Sequence, residues 1–363
     1  MVLLCGLNDP CLVGSHINFR GTKGDIMNVL SLFDGMSCGQ IALDQLDIPV
    51  DNYYASEIDK WAMQITQKNY PNTIQLGDVT KIDLAALPKI DLLIGGSPCQ
   101  GFSFAGKQLN FDDPRSKLFF VYVYVLQTLK PKYFLLENVR MKKEYQDVIT
   151  QYLGVKPIEI NSKLVSAQSR NRLYWTNIPN VTQPGDRGIY LRDVLEQDAT
   201  EPMLSNIYGG FKEKQPRVHT DKSVTIRTAA GGGHIPMVAL KKFDIPDEYI
   251  RMQIRGLLGN SKYKDNFKWN WDTDGRILVT RPDGLKIQRV GRIAFPDTKA
   301  EIVTALSQPH TAFRKLSPLE CERLQTVPDR YTEGVSNHQR YRMLGNGWTV
   351  EVIKHIFKEM VNG

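Results

Sequence analysis

The chain has 363 residues, of which 42% are hydrophobic and 23% charged, with a formal net charge of +7. These proportions are those of ordinary globular proteins, so they exclude a collagen, a coiled coil and a disordered chain. The length predicts two domains, or one large domain with an insertion. The longest apolar run, residues 118–126, is about half of what spans a bilayer. The five cysteines form no CxxC pair, which argues against a zinc ribbon and a secreted disulfide scaffold. We expect a soluble intracellular protein.

The positive charge is concentrated in one part of the chain. Residues 209–315 contain 20 Lys and Arg against 11 Asp and Glu, a local charge of +9, so the rest of the chain carries −2. Such a local excess is typical of a module that binds a polyanion. A solvated, Lys-rich surface would have the same composition, so charge alone leaves both interpretations open.

Strand-like and helix-like segments alternate between residues 27 and 179. Residues 1–26 show no periodicity, whereas residues 28–33 form an apolar run that predicts a buried strand, followed by a tight turn and a helix start at 40–46. The alternation continues through predicted strands at 53–56, 90–94 and 133–136 and a predicted helix at 59–69. Apolar strands that alternate with helices predict a parallel sheet covered by helices on both faces.

The pattern becomes irregular beyond residue 179. Up to about residue 315 the chain has Gly-Gly and Gly-Gly-Gly runs, several prolines and many basic and aromatic residues. Helical patterning returns at Ser317, followed by Pro318 and Glu320, residue types that begin helices. A final helix is predicted from about 349 to 360.

The carboxyl ends of the first three predicted strands carry residues typical of a nucleoside-type cofactor site. Phe33-Asp-Gly35 and Gly39 form a strand-to-helix turn, where glycines let a ligand approach the backbone and free N–H groups are exposed. The spacing is GxxxG rather than GxGxxG, so a dinucleotide is not the expected ligand. Glu57 lies where an α/β sheet places an acid against ribose hydroxyls, and Asp78 is placed to receive an adenine amino group. A capped structural turn would explain each of these residues separately.

Four further residues are candidates for reactive groups. Cys99 lies in a Gly-Gly-Ser-Pro-Cys-Gln-Gly loop just past a predicted strand, and catalytic groups concentrate on loops, although most free cysteines are buried hydrophobes. Glu137 ends the next strand at the same sheet edge. Arg170 and Arg172, two apart on an extended segment, point the same way and can converge on one anionic or carbonyl-rich ligand. Surface salt bridges would account for the two arginines equally well.

Taken in chain order, these motifs resemble the DNA cytosine-C5 methyltransferase family. The motifs that carry the resemblance are Phe33-x-Gly35-x-x-x-Gly39, Glu57, Asp78, Pro98-Cys99-Gln100, Glu137-Asn138-Val139, Gln168-x-Arg170-x-Arg172, Leu316-Ser-Pro-x-Glu320 and Gly345-Asn346. The resemblance extends from Met27 to the C-terminus, with no strong pattern in residues 209–315. The C-terminal motif is most similar to the de novo (DNMT3-like) branch, although Met343 and Gly347 depart from the family's usual residues.

The resemblance implies an α/β fold: a doubly wound, mostly parallel Rossmann-like sheet of the S-adenosyl-L-methionine-dependent methyltransferases, with a smaller, irregular, β-rich target-recognition domain. The implied divisions are an N-terminal extension (1–26), a catalytic domain (27–183), the target-recognition domain (184–315) and C-terminal helices that return to the catalytic domain (316–363). We expect the extension to be poorly ordered and dispensable.

The resemblance also implies S-adenosyl-L-methionine as the cofactor and no metal. The implied cofactor-binding residues are Phe33, Gly35, Ser37, Gly39, Glu57, Ile58, Asp78, Pro98, Asn346 and Trp348. The implied substrate is double-stranded DNA, with no membrane contact and a cognate restriction endonuclease as a candidate partner. We expect a prokaryotic or phage-encoded protein acting on DNA in the cytoplasm.

The chemistry explains why these residue types are needed. Carbon 5 of cytosine is a poor nucleophile, and addition of a Cys thiolate at C6 makes it enamine-like. The resemblance implies that Cys99 makes this addition and that Glu137 meets the charge developing at N3. Arg172 would orient the base through O2, with Arg170 supporting the loop and phosphate side. The target carbon lies inside the base stack, so the base must be flipped out, and residues 100–117 would close over it.

Two other functions share these motifs. A DNMT2-like tRNA cytosine methyltransferase would carry a Cys-Phe-Thr signature, which the chain lacks. A DNMT3L-like accessory protein would have lost the nucleophile or the acid, but Cys99 and Glu137 are both present. The sequence therefore favours a DNA methyltransferase.

Overall fold

The computed structural model describes most of the predicted catalytic domain and C-terminal helices, and parts of the region between them. The described residues are 27–97, 117–197, 199–205, 217–228, 235–240, 255, 268–271, 277–280 and 313–362. The predicted N-terminal extension, Pro98, Cys99 and nearly all of the predicted closing segment lie outside them.

A seven-stranded sheet forms the centre of the larger part. Its strands are β1 (Met27–Leu32), β2 (Val50–Ser56), β3 (Ile74–Gln75), β4 (Leu92–Gly95), β5 (Tyr133–Val139), β6 (Ile158–Asn161) and β7 (Asn171–Thr176). Their spatial order is β3-β2-β1-β4-β5-β7-β6. Strands β1 to β5 pair in parallel, which confirms the predicted doubly wound, mostly parallel sheet.

Strand β7 is an antiparallel member of this mostly parallel sheet. It lies between β5 and β6 and is antiparallel to both. The connection from β6 to β7, residues 162–170, is shorter than the dozen or so residues that a parallel crossover needs, so the chain turns back instead. This reversal places Arg172 opposite Val139, at the end of β5.

Helices cover both faces of this sheet. Within the described residues the helices are α1 (Cys38–Asp44), α2 (Lys60–Asn69), α3 (Lys117–Leu129), α4 (Lys143–Leu153), α5 (Pro318–Leu324), α6 (Asn337–Asn346) and α7 (Val350–Asn362), with short 3-10 turns at Val79–Lys81, Leu84–Ala86, Ser162–Leu164 and Leu191–Asp193. Val29 of β1 belongs to an apolar cluster with α1 and α7, whereas Leu30 and Leu32 belong to a cluster with α3. In none of the described stretches is a helix both long and apolar enough to cross a membrane.

Local capping explains where two predicted helices begin. The Asp59 side chain accepts a hydrogen bond from the Trp61 N–H, so α2 begins at the predicted position. Ser317 and Glu320 form a reciprocal capping box with Pro318 at the first helical position, as the sequence predicted. These local hydrogen bonds therefore set the first residues of α2 and α5.

A smaller antiparallel sheet lies outside the main sheet, which confirms the predicted β-rich part. Its strands are β8 (Ala199–Ser205), β9 (Arg217–His219), β10 (Met237–Leu240) and β13 (Phe313–Lys315), in the order β13-β10-β8-β9; β11 (Lys268–Trp271) and β12 (Ile277–Thr280) form a separate hairpin. Leu204, Met237, Ala239 and Phe313 form a small apolar cluster of this sheet.

The topology of the main sheet locates a crevice. From β1 the chain runs outward through β2 and β3 in one direction, and from β4 through β5 in the other. Ligands of open α/β sheets bind outside the carboxyl ends of the strands at such a switch point. The residues that follow β1, β2 and β4, and those that end β5, therefore line the expected site.

Candidate active site

The turn after β1 has an unusual backbone. Phe33, Gly35 and Ser37 have positive φ angles of 58°, 59° and 62°. Residues other than glycine adopt this region at a cost of about 1 kcal/mol or more, and such strain is concentrated at functional sites. A Cβ atom at Gly35 would meet nothing within 4 Å, so the space beside this glycine is open. The turn therefore leaves open space beside Gly35, at the edge of the sheet where the sequence predicts a cofactor.

Glu57 ties this turn to the start of α2. Its Oε2 accepts a hydrogen bond from the Gly35 N–H at 2.8 Å, and its Oε1 accepts from the N–H groups of Ile58 at 2.7 Å and Asp59 at 2.8 Å. The Ile58 side chain beside it is 78% exposed. The carboxylate is held rigidly at the mouth of the crevice, next to an exposed apolar side chain.

Asp78 lies beyond β3 and caps a 3-10 turn. Its Oδ1 accepts hydrogen bonds from the Thr80 N–H at 3.0 Å and the Thr80 hydroxyl at 2.8 Å. These hydrogen bonds hold the pKa of Asp78 below its ordinary value. The side chain is therefore an ionised hydrogen-bond acceptor at neutral pH.

Asp34 is a site residue that the sequence analysis did not single out. Its carboxylate accepts hydrogen bonds from the Tyr53 hydroxyl at 2.8 Å and from the Ser37 hydroxyl. Burial raises the pKa of Asp34 from 3.8 to about 6. An aspartate in a turn is unremarkable in sequence, because only the folded chain brings the hydroxyl groups of Tyr53 and Ser37 to its carboxyl group.

Asp34 makes stability depend on pH, and we expect the Asp34→Asn variant to show it. Because the folded-state pKa is raised, the folded state binds a proton more tightly than the unfolded chain, so wild-type stability falls as the pH rises from the unfolded pKa, 3.8, through about 6. From about pH 5 to about pH 7.5 the wild type should lose about 1 kcal/mol relative to Asp34→Asn. Urea unfolding of both proteins at these pH values measures the difference. A pH-independent difference would contradict this account.

Glu137 is the acid at the carboxyl end of β5, and both of its oxygens have partners. The residue is 8% exposed. The Arg172 Nε lies 2.9 Å from Glu137 Oε1 in an ion pair, and the Trp348 Nε1 donates a hydrogen bond to Glu137 Oε2 at 3.2 Å. The adjacent Asn138 amide donates to the Ser97 hydroxyl at 3.2 Å, so the end of β5 is tied to the residue that precedes Pro98.

Arg170 and Arg172 do not converge on one ligand. Arg170 is 3% exposed, and its guanidinium donates to the backbone carbonyls of Ile226 at 3.3 Å, Gly345 at 3.2 Å and Gly347 at 3.0 Å. Burial lowers the pKa of Arg170 to about 9, so it stays charged at neutral pH. Arg170 is too deeply buried to make the predicted contact on the phosphate side of the DNA. Its guanidinium instead holds the backbone of the C-terminal motif at Gly345 and Gly347.

Two buried glutamines, Gln168 and Gln325, join Arg170 in holding the C-terminal motif. No role was predicted for either from the sequence. Gln168 donates to Gln325 Oε1 at 3.1 Å and accepts from the Ile226 N–H at 2.9 Å. Gln325 in turn donates to the carbonyls of Leu344 at 2.6 Å and Gly347 at 3.0 Å. The signal for Gln168 was its place in the QxRxR motif, whereas Gln325 carries no motif. Asn346, the other motif residue here, is exposed at the end of α6.

The two cysteines among the described residues are buried free thiols. Burial raises the pKa of the Cys38 thiol to about 12 and that of Cys321 still further above the ordinary value. Thiolates are the nucleophilic form of cysteine, so neither side chain is suited to attack a substrate.

The strained turn after β1, the Glu57 carboxylate and the Glu137–Arg172 pair therefore lie at the same edge of the sheet. The family model described as C-5 cytosine-specific DNA methylase matches residues 27–362, and the chain belongs to this family. It is a DNA cytosine methyltransferase, as the sequence predicted.

Relatives with assigned names resemble the chain over nearly its whole length. Type II methyltransferase M.NlaIV of Neisseria lactamica is 41% identical over 421 residues, covering 92% of this chain and 98% of the relative. Orphan methyltransferase M.SPRI of Bacillus phage SPR is 27% identical over 428 residues, covering 93% and 98%. The solved structure of the DNMT2 protein of Spodoptera frugiperda shares the fold, with a TM-score of 0.57 and 20% identity over 92% of this chain and 99% of that one. These comparisons support the family, but not the DNMT3-like branch in particular.

Proposed function

We propose that the chain methylates carbon 5 of cytosine within a specific sequence of duplex DNA, with S-adenosyl-L-methionine as the methyl donor. The observation that carries the proposal is the Glu137–Arg172 pair at the end of β5, beside the strand that leads to Cys99. Family membership and the fold imply the same cofactor. The bacterial and phage relatives support action on DNA in a bacterial cytoplasm, with a restriction endonuclease as a candidate partner.

The crevice fits the cofactor. The open space beside Gly35 admits a ligand to the backbone, Glu57 presents carboxylate oxygens to ribose hydroxyls, and the exposed Ile58 offers an apolar surface to a purine ring. Asp78, held ionised, accepts from an exocyclic amine. Phe33, Ser37, Gly39, Pro98, Asn346 and Trp348 complete the proposed set. When bound, S-adenosyl-L-methionine supplies an electrophilic methyl group.

The proposed reaction uses Cys99 as a nucleophile. Its thiolate adds to C6 of the flipped cytosine, and the electron pair displaced from the C5–C6 double bond makes C5 nucleophilic. Loss of the C5 proton after methylation returns the electron pair to the ring and expels the thiolate. Water accepts this proton.

Glu137 and Arg172 act on the other side of the base. The Glu137 carboxyl meets the charge that develops at N3, and Arg172, which also fixes Glu137, contacts O2. Preorganised groups of this kind stabilise developing charge because they need not reorient during the reaction. Arg170 takes no part in this contact: it holds the carbonyls beneath the C-terminal motif.

The experiment that tests the proposal is expression of the chain in a methylation-free bacterial host, followed by bisulfite sequencing of the DNA. We expect protected cytosines at one short sequence. Bisulfite sequencing of tRNA from the same cells tests the DNMT2-like alternative, for which protection would appear in tRNA and not in DNA. Unprotected DNA with an abundant folded protein would contradict the proposal.

Glu57→Ala is expected to weaken S-adenosyl-L-methionine binding about ten-fold or more, because two buried hydroxyls would lose their acceptor. DNA affinity should change little, since Glu57 is proposed to contact the cofactor and not the DNA. Titration calorimetry with the cofactor measures the effect. An unaltered cofactor affinity would show that Glu57 serves only to brace the Gly35 turn.

A further inference from the structure

Trp348 connects the C-terminal motif to the acid of the main sheet. It lies between α6 and α7, 211 residues from Glu137, yet its indole N–H donates to Glu137 Oε2 at 3.2 Å. The Arg172 Nε lies 2.9 Å from the other oxygen, Oε1. The two carboxyl oxygens of Glu137 are therefore held from two different elements.

The absence of a side chain at Gly96 leaves room for the indole beside Glu137. A Cβ atom at Gly96 would lie 3.0 Å from Trp348 Nε1 and 3.2 Å from Glu137 Oε2. A Cβ atom at Gly39 would lie 3.6 Å from Trp348 Cζ3, an ordinary contact distance, so the other edge of the indole borders the start of α1. The indole thus lies between Gly39 of α1 and Gly96, which follows β4 and precedes the proposed nucleophile Cys99 by three residues.

The backbone on both sides of Trp348 is fixed. The Gly347 carbonyl accepts from Arg170 at 3.0 Å and from Gln325 at 3.0 Å. The Thr349 hydroxyl donates to Gln325 Oε1 at 3.0 Å. Because its two neighbours are held by buried groups, Trp348 presents its N–H at a defined place.

We propose that Trp348 is a positioning residue for Glu137, fixing Oε2 while Arg172 fixes Oε1, so that the plane of the carboxyl group is set before a cytosine enters. This inference rests on the proposed function, in which Glu137 contacts the target base. It assigns Trp348 a role beyond contact with the cofactor. Small displacements of a catalytic group lower the rate strongly, so the N–H of Trp348 contributes to turnover without touching the base.

The test is Trp348→Phe, which keeps an aromatic ring and removes the N–H. We expect the single-turnover rate at saturating DNA and cofactor to fall about ten-fold. The cofactor Kd should stay within about two-fold of the wild-type value, because phenylalanine keeps the aromatic surface that Trp348 is proposed to present to the cofactor. Trp61→Phe, on the outer helix α2, is the matched control and should keep the wild-type rate. A weakened cofactor Kd with a normal saturated rate would show that Trp348 serves the cofactor, and would overturn the inference.

A double-mutant cycle tests whether Trp348 acts through Glu137. In a Glu137→Ala background, Trp348→Phe should cause no further loss of the single-turnover rate. Losses that multiply would overturn the inference and leave the proposed function intact. A near-normal rate for Glu137→Ala alone would overturn the catalytic role proposed for Glu137. The positioning role of Trp348 would then fall as well.

A second variant keeps the inference testable should Trp348→Phe fold poorly. Gly96→Ala places a methyl group 3.0 Å from Nε1 of the indole and 3.2 Å from Oε2 of Glu137, so one or both should shift by a few tenths of an ångström although neither side chain is replaced. We expect the same lowered rate and unchanged cofactor Kd. A folded Gly96→Ala enzyme with the wild-type rate would overturn the inference.

Discussion

Cys99→Ser is expected to abolish methyl transfer. A serine hydroxyl is a far weaker nucleophile than a thiolate, so C6 addition, and with it the activation of C5, would be lost. Cys99 follows Ser97 by two residues, and Ser97 is tied to Asn138 beside the proposed acid. Among the residues that the structure describes, Cys38 and Cys321 cannot replace Cys99 as the nucleophile. Burial raises the pKa of both thiols, so neither is a thiolate at neutral pH.

Transfer of a radiolabelled methyl group to duplex DNA measures this effect. Cys321→Ala is the matched control, since Cys321 is a buried thiol of α5, remote from the Glu137–Arg172 pair in the sequence and without a proposed role. It should retain turnover at a temperature where the variant is folded. Cys99→Ser with a near-normal rate would contradict the covalent mechanism.

The single variants Arg170→Met and Arg172→Met are expected to differ. The first should mainly lower Tm, and the second should mainly lower the rate of methyl transfer. Arg170→Met leaves the buried carbonyls of Ile226 and Gly345 without this donor, at a cost of about 1–3 kcal/mol each. We therefore expect Tm to fall by roughly 5–10 °C. Arg172→Met removes one partner of Glu137 at the edge of the crevice, so it should lower Tm less and the rate about a hundred-fold.

Thermal melts and single-turnover rates of the two variants, each compared at a temperature where both are folded, test this separation. If Arg172→Met lowered Tm as much as Arg170→Met and left the rate unchanged, the roles proposed for the two side chains would be exchanged. If the two variants lowered Tm equally and lowered the single-turnover rate equally, Arg170 and Arg172 would act as a single structural unit.

The parts of the fold that depend on local chemistry were predictable from sequence. The apolar run that becomes β1 and the caps at Asp59 and Ser317 are local signals, and the structure has them where they were expected. The antiparallel β7 was missed, because a strand's direction is set by the length of its connection and the pairing it finds, and not by its own residues.

In the candidate site, too, some features follow from local sequence and others only from the fold. The Gly35 turn and Glu57 were predicted because their order along the chain follows that of the strands. Arg170 and Arg172 have the same side chain and adjacent motif positions, so only the fold reveals that one binds carbonyls and the other an acid. The Trp348–Glu137 hydrogen bond joins residues 211 apart, which no local pattern reports.

The resemblance to the DNMT3-like branch rested on a short C-terminal stretch. That stretch includes Trp348, whose neighbours Gly347 and Thr349 are held in a buried network. Similar packing demands can give similar residues in different branches of one family. The relatives over the whole chain are bacterial and phage methyltransferases, and they identify the family without selecting that branch.

Covalent catalysis by Cys99 is tested with a DNA duplex that carries 5-fluorocytosine at the position that bisulfite sequencing identifies. A fluorine at C5 cannot leave as a proton, so the thiolate cannot be expelled after methylation. With S-adenosyl-L-methionine present, the wild-type protein should run with the DNA as one species on a denaturing gel, and Cys99→Ser should not. If the wild-type enzyme methylates ordinary duplex yet forms no such species, methylation does not proceed through a covalent Cys99 adduct.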